Sequence, residues 1–160
     1  MLLTLLKENA KFIVTYGRPM KLKQISLLNR ISKRYPNRLI IKGRIPYEQL
    51  TRIYSITWAL LFPSIYEEPL PYTIIEAMLT KTIPIAFKVG GIYEIIKGTP
   101  AENLLVEPGD IYGLHRKVEE MLALSKEELS SIGKRLREHI LRKFDNTAIF
   151  NKVLQIFKYA

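Results

Sequence analysis

Short apolar runs, several of them closed by glycine or proline, alternate with stretches of helical periodicity, and this alternation limits the possible folds more than any other feature of the chain. KFIVTY (11–16) reads as a strand ending at Gly17, and RLIIK (38–42) as a second ending at Gly43. Between them Leu22, Ile25, Leu28 and Ile31 recur at helical spacing, which predicts an amphipathic helix over 20–35 that stops before Pro36. A helix over 46–56 begins with Pro46, a residue allowed at a first helical position. TWALLFP (57–63) reads as a buried third strand, 71–80 as a helix and IPIAF (83–87) as a fourth strand. Gly90-Gly91, a short helix over 92–97 and LLVE (104–107) as a fifth strand complete this part. After Pro108-Gly109 the pattern is helical only. Asp110 caps one helix to about Leu124, Ser125-Lys126-Glu127-Glu128 forms a capping box for another, and 145–158 is a last amphipathic stretch. Strand–helix alternation of this kind predicts a Rossmann-like α/β domain, a parallel sheet of about five strands covered by helices.

Length and charge narrow the reading. The 160 residues suit one domain, 1–160, and 48% apolar residues exclude disorder. The absence of cysteine excludes disulfides, thiolate metal sites and a cysteine nucleophile. The opening MLLTLL meets Lys7 and Glu8, too short an apolar run for a signal peptide or a span, so a cytoplasmic protein is expected. The net charge of +10 is concentrated: residues 1–52 carry twelve Lys/Arg against Glu8 and Glu48, while the remainder balances. Such a face attracts phosphates, nucleic acid, an anionic membrane or an acidic partner; a solvated, Lys-rich surface of thermophile-like composition is the plainer explanation.

The segment 66–78, YEEPLPYTIIEAM, places Glu68 and Glu76 around a short loop and the first turns of a helix that follow a strand end at Pro63-Ser64. In an open parallel sheet this junction lies at the carboxyl edge, where helix N–H groups face ligands. Ionised carboxylates only accept hydrogen bonds, which suits a hydroxyl-rich ligand. Two solvated surface glutamates are the competing explanation. Other chemistry has little support: His115 and His139 are isolated, no spaced His/Asp cluster suggests a metal, and P-loop, GxGxxG and GxSxG patterns are absent. Tyr16, Tyr35, Tyr47 and Tyr54 lie among the basic residues without a nucleic-acid module around them, so core or rim packing is expected of them.

Residues 63–96, PSIYEEPLPYTIIEAMLTKTIPIAFKVGGIYEII, resemble the donor-binding, carboxyl-terminal half of the retaining GT-B glycosyltransferases, glycosyl transferases group 1. Four elements carry the resemblance in family order: Glu68…Glu76 after a Pro-Ser strand end, Glu76-Ala77-Met78, Ile83-Pro84-Ile85, and Gly90-Gly91-Ile92-Tyr93-Glu94. The resemblance implies that Glu68 receives hydroxyls of a donor sugar and Glu76 those of the ribose, while amides of Leu70, Tyr72 and Thr73 meet the distal phosphate. Gly17-Arg18 with Lys23, or Lys21 in its place, resembles the family's diphosphate-binding strand end, and Arg44-Ile45 its base-holding loop. Arg18, Lys23 and Glu68 are the implied catalytic residues, with no cofactor and no metal.

Three departures qualify what the resemblance implies. Pro69 and Pro71 stand where glycine or aromatic residues are frequent, which removes two donors and stiffens the loop. One strand–helix unit is missing between the helix over 20–35 and RLIIKG. The resemblance covers about 11–160, all of it donor domain, so the expected activity is nucleoside-diphosphate-sugar binding, with hexose transfer requiring an acceptor-binding domain or partner chain. On this reading no nucleic acid is bound, and peripheral membrane association stays open. The alternative function is a non-catalytic basic α/β module that binds nucleic acid or an anionic membrane surface.

Overall fold

The computed structural model describes residues 10–16 and 21–147. Gly17, Arg18 and nearly all of the amphipathic stretch expected over 145–158 lie outside the described residues. Among the described residues five strands and six α-helices follow the expected order: β1 (Phe12–Thr15), α1 (Leu22–Arg34), β2 (Leu39–Gly43), α2 (Tyr47–Ser55), β3 (Ala59–Phe62), α3 (Tyr72–Leu79), β4 (Ile83–Phe87), α4 (Ile92–Ile96), β5 (Leu105–Val106), α5 (Ile111–Leu122) and α6 (Lys126–Lys143). A 3-10 turn over Pro100–Leu104, absent from the sequence reading, precedes β5.

All pairings are parallel, as the helical crossovers require. The expected single sheet is divided, however, into a two-stranded β1-β2 ladder and a three-stranded β3-β4-β5 ladder. β1 and β3 have only four residues each, and the β1-β2 register shifts between Val14 and Thr15. Among the described residues β3 therefore has a laddered neighbour on one side only, and its residues are half-buried rather than buried as the apolar run suggests. Trp58, just before it, is exposed.

β4 is the centre of the molecule. Every residue of IPIAF is buried, with α3, α4, α5 and α6 contributing Ile74, Met78, Ile92, Ile95, Leu114, Val118, Leu136 and Ile140 to the same core. Pro84 is tolerated in this central strand because β5 pairs only with Ala86 and Phe87, beyond its position. Thr82, wholly buried, donates its hydroxyl to the Tyr54 carbonyl at 2.6 Å and so fastens the end of α2 to the start of β4.

The helices end as the sequence indicates. The Asp110 carboxylate accepts from the Gly113 N–H at 2.7 Å, and Ser125 and Glu128 form the reciprocal capping box of α6. α6 is tied back to the site-bearing half by Arg137 on the Leu79 carbonyl, His139 on that of Ile95 and Lys143 on that of Glu94.

Because Ile85 is fully buried at the middle of β4, Ile85→Ala is expected to lower unfolding free energy by about 2–5 kcal/mol. Chemical denaturation checks this, with a lower midpoint and an unchanged slope as the expected result.

Candidate functional site

The loop from β3 to α3 is held by a backbone contact that only glycine permits. Gly90 has φ +49°, and a Cβ there would lie 2.3 Å from the Glu68 carbonyl oxygen; one at Gly91 would lie 1.9 Å from the Pro69 carbonyl oxygen. The Gly91 N–H donates to the Glu68 carbonyl at 3.0 Å, so two chain segments far apart in sequence are laid directly on one another. Within the loop the Glu68 N–H donates to the Tyr66 carbonyl and the Tyr66 N–H to the Ser64 hydroxyl. The result is an open cleft of about 370 Å³ lined by Glu67, Pro69, Gly90, Gly91 and Glu94 at the carboxyl ends of β3 and β4. A larger depression, about 510 Å³ around Trp58, Lys126 and Lys134, opens at the amino end of β3, away from these strand ends.

α3 begins immediately after the loop. Its N-cap is Pro71, which has no side-chain acceptor to offer, and among the described residues no protein group accepts from the amides of Tyr72 and Thr73. Unpaired amides at a helix start favour an anion or another acceptor. Thr73 is half-buried, whereas Leu70 and Tyr72 are exposed.

Glu76 lies one turn into α3 and is half-buried, while Glu68 is exposed. Beside Glu76 stand two tyrosines from α2. The Glu76 charge, with desolvation beside it, raises the Tyr47 phenol above its ordinary value. Tyr54, buried, is pushed up to about 12, first by burial and then by the charges of Glu76 and Tyr47. The start of α2, and with it the connection Arg44-Ile45-Pro46, is thereby brought next to α3. Arg44 is exposed there and Ile45 half-buried.

Of the residues singled out from sequence, the structure thus joins the Glu68 loop to Gly90-Gly91, and Glu76 to the start of α2. Lys23 is exposed in the first turn of α1, and Lys21 precedes that helix; among the described residues no hydrogen bond or ion pair links either to Glu68 or Glu76. Of the tyrosines expected in core or rim packing, Tyr54 is in the core, and Tyr47 is exposed on the surface within reach of the Glu76 charge. No group of three or more His, Asp or Glu residues suited to a metal ion occurs among the described residues. No helix among them is long and apolar enough to cross a membrane.

The family model of glycosyl transferases group 1 matches residues 5–139. The chain belongs to that family. The 2-deoxystreptamine glucosyltransferase of Streptomyces kanamyceticus is 33% identical over 86 residues, which are 54% of this chain and 22% of that protein. Sucrose-phosphate synthase from Thermosynechococcus elongatus superposes with a TM-score of 0.74 at 26% identity, over 99% of this chain and 40% of that one. Anabaena Alr3699/HepE, solved in complex with UDP-glucose, gives a TM-score of 0.71 at 17% identity, over 98% and 43%. The chain thus spans less than half the length of these relatives, and its Rossmann-like α/β architecture is that of a GT-B carboxyl-terminal half.

Replacing Glu76 by Gln is expected to lower the pKa of Tyr47 and Tyr54, because it removes the negative charge that opposes phenolate formation. Tyr54 is to stay above the ordinary value in the variant, since burial is its larger cause. The folded protein keeps the Tyr54 proton where the unfolded chain loses it, so native stability is to fall as pH rises from about 10 towards 12. Phenolate absorbance and alkaline unfolding curves of both proteins measure these outcomes.

Proposed function

We propose that this domain binds a nucleoside-diphosphate sugar and forms the donor half of a retaining glycosyltransferase that passes a hexose to an acceptor. The observation that carries the reading is the Glu68-Pro69 loop laid on Gly90-Gly91 directly before the open amide end of α3. Family membership and the UDP-glucose complex of one structural relative support it.

In this reading Glu68 accepts hydrogen bonds from the donor sugar and Glu76 from the ribose, each an acceptor-only group facing a donor-rich ligand. The amides of Tyr72 and Thr73, with that of Leu70, meet the distal phosphate, where the helix dipole favours negative charge. Arg44 and Ile45 flank the base; the influence of the Glu76 charge on Tyr47, at the start of the helix that follows them, supports this.

Arg18, following Gly17, and Lys23 neutralise the diphosphate, the guanidinium by a planar fork and the ammonium as a mobile point charge. During transfer the same cations offset charge growing on the leaving diphosphate, and no metal ion is assigned to that task. Pro69 and Pro71 withdraw two amides and fix the loop, so the sugar is gripped by fewer and more rigid donors. An acceptor domain, in the same polypeptide or a partner chain, supplies the remaining wall of the cleft.

Calorimetry across nucleoside diphosphates and their sugars tests the reading. One such sugar is expected to bind in the micromolar to millimolar range. Glu76→Ala is to abolish that binding, and Arg18→Ala is to weaken the nucleoside diphosphate far more than the nucleoside. Equal losses for both ligands in Arg18→Ala would remove Arg18 from the diphosphate, and absence of binding by every sugar nucleotide would end the proposal.

A further inference from the structure

A second surface is set apart by its composition. From residue 9 to residue 47 the chain contains no aspartate or glutamate, and α1 lies in the middle of that stretch. The helix has no buried residue. Ile25, Leu28 and Ile31 are half-buried on the side that meets β2, and Ser32 donates its hydroxyl to the Leu39 carbonyl at 2.7 Å. The opposite side is exposed throughout.

Lys23, Leu27, Arg30 and Arg34 follow one another there at i, i+4, i+7 and i+11, with Leu22, Ser26 and Lys33 beside them. Leu22 is 84% and Leu27 47% exposed. Among the described residues none of the four cations takes part in an ion pair. A helix that needs only half of its circumference for packing thus keeps Arg30, Lys33, Arg34 and two leucines on the other half, apart from Lys23, which is assigned to the diphosphate.

We propose that this outer face of α1 docks on an anionic lipid bilayer. Lys and Arg are attracted to the negative surface potential of acidic headgroups, and leucines between them enter the boundary of headgroup and acyl chain. The leucines distinguish this partner from nucleic acid, whose phosphodiester backbone rewards the cations and makes no use of Leu22 or Leu27. The helix lies along the membrane plane in this arrangement and does not span it. The proposal is independent of donor binding: Arg30, Lys33 and Arg34 occupy the second half of α1, and Lys23, assigned to the diphosphate, is left out of the test.

The experiment is flotation with vesicles of phosphatidylcholine alone and with about one-third phosphatidylserine, at low and high salt. Binding is expected to the anionic vesicles only and to fall as salt screens it. The combined change Arg30→Gln, Lys33→Gln, Arg34→Gln is to weaken it about tenfold or more, and Leu22→Ser with Leu27→Ser severalfold, at unchanged circular dichroism. Should the triple variant lose its fold, Lys33→Glu alone is to give a smaller loss of the same sign. Absence of vesicle binding, binding indifferent to lipid charge, or binding unchanged in these variants overturns the proposal. So does tighter binding to random-sequence DNA that the Gln variant loses and the Ser variant keeps.

Discussion

The contact on which the site depends is the stacking of one backbone on another, Gly90-Gly91 against Glu68-Pro69. It needs two residues without side chains, because a methyl group at either position would collide with a carbonyl oxygen. It also needs the strands carrying the two loops to be neighbours, which the parallel β3-β4 register from Ala59↔Ile83 to Phe62↔Ala86 provides. The buried β4 and the helices packed on it therefore act as a foundation. They fix two strand ends side by side, and the glycines let the loops beyond them touch.

The same foundation organises the electrostatics. Glu76 is carried on a helix whose other faces are buried in the core, which sets its backbone position near Tyr47 and Tyr54, whose phenols feel its charge. Thr82 adds a direct tie between the end of α2 and β4. An acid fixed beside two phenols and close behind a run of unpaired amides is a preorganised arrangement of acceptors and donors, the kind of feature that binds a polar ligand without first rearranging.

Much of this was legible in the sequence because the decisive signals are local. Glycines close the first two strands, Pro63-Ser64 closes the third, and Ser125 with Glu128 announces a helix start; the structure has each of these boundaries within a residue or two. What escaped depends on partners remote along the chain. Nothing in TWALLFP says that one flank of β3 lacks a ladder, so its partial exposure was not foreseen. Tyr47 looked like one tyrosine among several in a basic region, and its approach to Glu76 arises only when α2 and α3 pack together. The sequence pattern sets Leu22 with Ile25, Leu28 and Ile31 on one apolar stripe of α1; in the structure Leu22 is 84% exposed on the outer side, and the other three meet a two-stranded ladder that leaves every residue of the helix at least partly accessible.

The central claim is that the Glu68 loop, the glycine turn and the start of α3 form one ligand crevice. Backbone amide chemical shifts of the isotope-labelled protein, followed while a nucleoside diphosphate is added, test it most directly. Saturable shifts concentrated at Leu70, Tyr72, Thr73, Glu76, Gly90 and Gly91 are expected. Saturable shifts confined to the depression around Trp58, Lys126 and Lys134, with these six amides unmoved, would contradict it.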